Sequence, residues 1–207
     1  MAEQGTVNPW VVGSSPTSPA MLIIDNYVPI KEQLYLYDYF TSPAIPYRFY
    51  RSHIYHEDIK WSHAPMQMSH HLYESESDIA SQHLPAIGNL VGNLVERYGN
   101  INLFRAKVNV TSPYPPMMNY ESQVPHVDLQ YDNGDPVEHM VLLYYVNDSD
   151  GPTYFFNKAE QLQDTVYPKP GRAVIFDGNT IHAASNPVRH PFRIAVNIDF
   201  EVIRNAA

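Results

Sequence analysis

The sequence predicts a mainly β domain with supporting helices, built as a closed or nearly closed antiparallel structure. Three observations carry this expectation. Short apolar or alternating runs recur through the second half of the chain; Pro, Gly, Asn and Asp separate them; and clear helical spacing is confined to the part before residue 100.

Residues 1–20 contain Gly13-Ser14-Ser15-Pro16-Thr17-Ser18-Pro19 and little periodic apolar content. They are expected to form a flexible N-terminal arm, with Trp10, Val11 and Val12 as local anchors, ahead of a single domain over 21–207. Leu22 to Val28 is β-rich and ends at Pro29; Lys31 to Thr41 then reads as a helix whose apolar face includes Leu34, Tyr35 and Tyr39. Tyr47 to Tyr55 reads as extended. Glu57 to Glu76 carries His63, His70 and His71 without clear periodicity and reads as an ordered loop or short strands.

Ser77 or Asp78 can cap a helical region running to about Tyr98, with Pro85 as an interruption or restart and Gly99 as a left-handed stop. Ile87, Leu90, Val91, Leu94 and Val95 form one stripe that should lie on a sheet. After Gly99 the period changes to two. Phe104, Ala106, Val108 and Val110 alternate with Arg105, Lys107 and Asn109, giving one core face and one polar face. His139 to Val146, Thr153 to Asn157, Arg172 to Asp177 and Arg193 to Val202 complete the strands, and the β core spans about 101–202. The Pro- and Met-rich stretch Ser112 to Val124 has no periodicity and is a candidate substrate loop.

Composition excludes several functions. The net charge of −9, with 22 acidic against 13 basic residues, argues against a surface built to neutralise nucleic-acid phosphates. The chain has no run of about 18 apolar residues and no export-like start, so a soluble cytoplasmic protein is the default expectation. With no cysteine there is neither a thiolate nucleophile nor a zinc–thiolate site, and any metal must be held by His and carboxylate.

The candidate site is His126-Val127-Asp128, answered by His182 and by Arg193. Side chains at i and i+2 of a strand share a face, whereas on a helix they diverge by about 200°. A chelating HxD pair is therefore also a strand prediction. Two imidazoles and one carboxylate on one face leave the opposite positions of an octahedral ion open, the arrangement that non-heme Fe(II) uses to activate oxygen. On the last strand Ile194, Val196, Ile198 and Phe200 occupy one face, with Arg193, Ala195, Asn197 and Asp199 on the other. If the apolar set packs against helices, Arg193 points into the barrel, where it needs an anionic partner; a carboxylate bound beside the metal would supply it. Arg105 and Lys107 line the cavity mouth or form a solvated face. His63, His70, His71 and His139 read as surface or structural residues.

This HxD…H…R pattern resembles that of the Fe(II)/2-oxoglutarate-dependent dioxygenases. Leu143-Tyr144-Tyr145-Val146-Asn147, Gly151 to Phe156, Pro170 to Phe176 and Phe192 to Val196 resemble successive blocks of their prolyl 4-hydroxylase-like branch. The resemblance covers most of 21–202 and is firmest over 125–202. It implies a double-stranded β-helix, with Fe(II) on His126, Asp128 and His182, and 2-oxoglutarate held by Arg193 with Tyr145. It also implies O2 as oxidant and ascorbate as an auxiliary reductant. A further contact before the HxD motif falls to Asn109, Tyr114 or Tyr120, and the branch's usual Gly-Gly is Gly151-Pro152 here. The expected reaction is hydroxylation of a C–H bond with release of succinate and CO2, most simply on a prolyl residue of a peptide or protein. A small molecule or free amino acid uses the same core with a different entrance. A β-helix binding module without turnover is the alternative of another class, which the intact triad and Arg193 disfavour. Asp128 disfavours halogenation, because the resemblance implies that halogenases leave the carboxylate position open.

Overall fold

The two faces of the longest strands decide the architecture. The computed structural model describes residues 21–50, 67–113, 124–130, 135 and 137–203. In it β5 (Ile101–Thr111) lies antiparallel to β11 (Arg193–Val202). Ala106, Val108 and Val110 sit opposite Ile198, Val196 and Ile194; on the other face Arg105, Lys107, Asn109 and Thr111 sit opposite Asp199, Asn197, Ala195 and Arg193. The apolar face must be covered, and two helices cover it.

The first, α1 (Ile30–Thr41), starts directly after Pro29 and ends at Ser42. The second, α2 (Gly88–Tyr98), follows a 3₁₀ turn over Leu84–Ile87 and stops at Gly99, whose φ of 80° suits a residue without a Cβ. Leu36 and Phe40 of α1 and Leu90 and Leu94 of α2 join Ala106, Val108, Ile194, Val196, Ile198 and Phe200 in one buried core.

The sheet they cover has eight strands. Beside β5 and β11 it contains β1 (Leu22–Ile24), β2 (Arg48–Tyr50), β3 (Gln67–Glu74), β4 (Ile79–Ala80), β6 (Met140–Tyr145) and β9 (Ala173–Asp177). Their order is β1-β9-β6-β11-β5-β3-β2, with β4 on β3. A second sheet, β10-β7-β8, is formed by β7 (Thr153–Phe156), β8 (Leu162–Val166) and β10 (His182–Ala184). A smaller core fills the space between the sheets: Val141, Leu143, Tyr145, Val174, Phe176 and Ala195 from the large sheet against Phe155 and Val166 from the small one. This is the mainly β, jelly-roll arrangement that the sequence predicts.

Four elements differ from expectation. The buried face of α1 is Gln33, Leu36 and Phe40, while Leu34 and Tyr35 are exposed. Ser77 and Asp78 do not cap a helix: they turn the chain between β3 and β4, and α2 begins only at Gly88. Residues 67–74, within the stretch read as an ordered loop or short strands, form one continuous eight-residue strand, β3. His126 forms an isolated antiparallel bridge with His182, and Asp128 lies at a bend rather than within a regular strand. The N-terminal arm and His63 lie outside the described residues, as do 51–66 and most of the 112–124 stretch.

Candidate metal centre

The bridge between His126 and His182 closes with two backbone hydrogen bonds, each amide donating to the other's carbonyl at 2.9 Å. It brings the two rings to a centroid separation of 4.8 Å. His126 Nδ1 lies 3.0 Å from the carbonyl of Val124, and His182 Nδ1 lies 2.9 Å from that of Thr180. A carbonyl only accepts, so both rings donate through Nδ1 and turn Nε2 inward as a potential ligand. Asp128 completes the group: one ligand atom from each of His126, Asp128 and His182 lies within 4.8 Å of the others.

The electrostatics suit a cation. Burial, reinforced by the charge of His182, lowers His126 to about 4, so its ring is neutral at physiological pH. Burial also opposes charge on His182, but the hydrogen bond and charge of Asp128, whose Oδ2 is 3.3 Å from Nε2, outweigh it and raise this histidine. Burial alone would raise Asp128; the hydrogen bond from His182 and the charges of His182, Lys107 and Arg105 hold it well below the usual carboxylate range. Phe176 meets the His182 ring edge-on and Phe155 stacks on it, walling that side from water.

Arg193 stands on the same interior face and is 2% exposed. Its Nη2 donates to Thr153 Oγ1 on the opposite sheet at 2.8 Å, and Tyr145 donates its hydroxyl to the same oxygen at 2.7 Å. The guanidinium carbon lies 5.3 Å from the centre of the Tyr145 ring. No carboxylate is paired with this buried cation among the described residues, and its Nε has no partner. Around it, Thr111 Oγ1, Asn109 Oδ1 and Ser69 Oγ are also buried without partners. The strand register sets Thr111 directly across from Arg193, and Asn109 across from both Ala195 and Ser69. Of these groups Arg193 Nε and the hydroxyls of Thr111 and Ser69 can donate, and a carboxylate ligand is an acceptor that suits them.

On the other side of Asp128 is a charged wall that the sequence left undecided. Arg105 Nη2 donates to Asp128 Oδ1 at 2.8 Å, while its Nε donates to Asp199 Oδ2 at 2.8 Å. Asn197 Nδ2 reaches both carboxylate oxygens of Asp128, at 3.0 and 3.1 Å. Lys107 Nζ is 3.8 Å from Asp128 Oδ1. Burial and the charge of Asp128 push Asp199 up to about 6, against the pull of Arg105. His139 is buried behind it, Nε2 3.8 Å from Asp199 Oδ1, its ring lying where Gly178 has no Cβ.

Among the predicted site residues, the structure brings His126, Asp128 and His182 together and sets Arg193, Tyr145 and Asn109 on the adjoining interior face. Tyr114 and Tyr120 lie outside the described residues. Arg105 and Lys107 face the site rather than solvent. Thr153, Asn197 and Asp199 went unassigned. Alternation alone places Asn197 and Asp199 on the face of Arg193, but only the cross-strand register aims Arg105 and Asn197 at Asp128.

In sequence, no protein-family model and no curated protein matches the chain. In structure, it is similar to an oxidoreductase of the 2OG-Fe(II) oxygenase family from Burkholderia pseudomallei: the TM-score is 0.64 at 13% identity, covering 91% of this chain and 87% of that one. It is similar to the viral collagen prolyl hydroxylase vCPH from Paramecium bursaria Chlorella virus-1, in its 2OG complex, with a TM-score of 0.54 at 16% identity over 88% of this chain and 96% of that one. The non-heme alpha-ketoglutarate-dependent epimerase SnoN from nogalamycin biosynthesis gives 0.60 at 10% identity, over 88% and 76%. The fold is thus that of the 2OG-Fe(II) oxygenases, prolyl hydroxylases among them.

Proposed function

We propose that this chain is an Fe(II)- and 2-oxoglutarate-dependent dioxygenase that hydroxylates a C–H bond. The observation that carries the reading is the pairing, in one interior, of a two-histidine, one-carboxylate set with a buried Arg193 that has no anionic partner among the described residues. His126, Asp128 and His182 are the residues that would hold the iron. Bound there, iron supplies activation of O2, so that 2-oxoglutarate is oxidised to succinate and CO2 while one oxygen atom enters the substrate C–H bond.

The protein's share is position and exclusion of water. Arg193 takes the distal carboxylate of 2-oxoglutarate, steadied by Thr153 and by the Tyr145 ring. Asn109, across from Ala195 on the same interior face, is the described candidate for the additional cosubstrate contact, which its side-chain NH2 would make as donor. Phe155 and Phe176 keep the His182 side dry. Ascorbate is the proposed auxiliary reductant.

A prolyl residue in a peptide is the substrate suggested by the prolyl 4-hydroxylase-like blocks, and one structural neighbour is a collagen prolyl hydroxylase. A small polar molecule is the second reading, and one observation favours it. The wall beside Asp128 is Arg105, Lys107, Asn197 and Asp199, which offers a pyrrolidine ring little apolar surface.

The test is succinate formation with Fe(II) and 2-oxoglutarate, with proline-containing peptides and with small polar molecules. Turnover, coupled or uncoupled, is expected from the wild type and from neither His126→Ala nor Asp128→Ala. A wild type that forms no succinate under any of these conditions is not this enzyme.

A further inference from the structure

We infer that Lys107 is the receptor for a carboxylate carried by the primary substrate, which makes that substrate an organic acid. The inference rests on the oxygenase reading and narrows its substrate class.

Lys107 projects from β5 onto the interior face, directly across from His71 on β3 and Asn197 on β11. Its side chain is 11% exposed. A buried ammonium is costly unless it is paired and hydrogen-bonded. Here it has no hydrogen bond among the described residues, and its nearest carboxylate oxygen, on Asp128, is 3.8 Å away. Asp128 is already committed. Arg105 and Asn197 donate to its oxygens at 2.8 to 3.1 Å, and a bound metal would claim what remains. Arg105 in turn is held by Asp199. Among the described residues Lys107 is therefore the cation of this wall with its donors unused, beside the place where the C–H bond would be presented to the metal.

The distal carboxylate of the cosubstrate does not account for it. Arg193 lies across from Thr111, four residues along β5 from Lys107, an interval of about 13 Å at about 3.3 Å per residue. The four C–C bonds of 2-oxoglutarate extend no more than about 6 Å at about 1.5 Å each. A diacid anchored on Arg193 would spend its other carboxylate on the metal, which leaves Lys107 to another ligand. Asn197 Oδ1, buried without a hydrogen-bond partner, adds an acceptor for an amino or hydroxyl group on the same molecule.

The experiment uses the full chain loaded with Mn(II) and saturated with 2-oxoglutarate. The probes are acetate and its neutral isostere acetamide, read by paramagnetic relaxation of their methyl protons. Saturable relaxation is expected for acetate and none for acetamide. With Mn(II) and 2-oxoglutarate each brought to saturation, Lys107→Met should weaken acetate by about tenfold or more, the scale of losing one charge-assisted hydrogen bond. Lys107→Arg should keep acetate binding. Equal relaxation of both probes, or of neither, in the wild type overturns the inference without recourse to a variant. So does acetate binding that survives Lys107→Met, which assigns it to the metal, or a variant that loses 2-oxoglutarate instead. A wild type that binds neither Mn(II) nor 2-oxoglutarate fails earlier, at the oxygenase reading itself.

Discussion

His126 and His182 carry the same backbone hydrogen bond at Nδ1 but hold their second proton differently, and the difference has a measurable consequence. His126 stays neutral down to about pH 4. His182 is raised, because Asp128 stabilises its cation against the cost of burial. Below that raised pKa the metal-free site keeps a proton on His182 Nε2, where a metal must bind; above it the nitrogen is free. Divalent metal affinity should therefore fall as pH drops through the His182 pKa, with proton release on binding. Calorimetry of Mn(II) binding in buffers of different ionisation enthalpy reads this directly, and a heat independent of buffer near that pKa would contradict it. Arg193 supports a prediction of a different kind. Replacing it by Met keeps the bulk but removes a cation already short of partners, so the 2-oxoglutarate KM should rise about 10- to 100-fold, matching a loss of about 1.5–3 kcal/mol. Substrate KM should move much less, and equal changes in both would remove Arg193 from its cosubstrate role.

The element scale explains both what could be read from the chain and what could not. β5, β6, β9 and β11 were legible because each packs apolar residues on a buried face, and alternation survives intact in β5 and β11. In α1 it does not: Ile30, Leu34, Tyr35, Leu36, Tyr37, Tyr39 and Phe40 surround the axis, so spacing selects no single stripe. Gln33 is drawn inward by its Nε2 bonds to the Val28 carbonyl and the Asn26 side chain, a polar reason that apolar periodicity cannot register. Leu36→Ala should consequently cost about 2–5 kcal/mol in denaturant unfolding, while Leu34→Ala, 60% exposed, should stay within about 0.5 kcal/mol. Similar costs at the two positions would mean that the helix docks through the other face. β8 escaped notice because four of its five residues are exposed and β10 because it is three residues long. The site shows the same division. His126 and Asp128 are legible through their spacing within one segment and Arg193 through alternation along one strand, whereas His182 is legible only through the resemblance of the whole HxD…H…R pattern. Arg105, Asn197 and Thr153 acquire their roles only when the register of separate strands is known.

At the scale of the molecule, the site is where the two sheets are joined by polar groups. His182 belongs to the small sheet, Asp128 is held by Asn197 and Arg105 of the large one, and Arg193 crosses from large to small at Thr153. A metal bound by His126, Asp128 and His182 would thus tie a ligand in the small sheet to one held by the large sheet, and a diacid on Arg193 would add a second tie. Ligands that bind only the folded state stabilise it by about 2.7 kcal/mol at a hundredfold excess over Kd. For a chain of this length each kcal/mol moves Tm by about 2–4 °C, so Mn(II) at that excess should raise Tm by roughly 5–11 °C. Adding 2-oxoglutarate should raise it further. Asp128→Ala removes the ligand shared with Asn197 and Arg105, so it should abolish the metal response and, with it, most of the response to 2-oxoglutarate. Arg193→Met should keep the first increment and lose the second. Scanning calorimetry on the three proteins, with each ligand alone and together, separates the ties. If Arg193→Met also abolished the metal increment, the metal and diacid sites would not be the separable ties that this geometry describes.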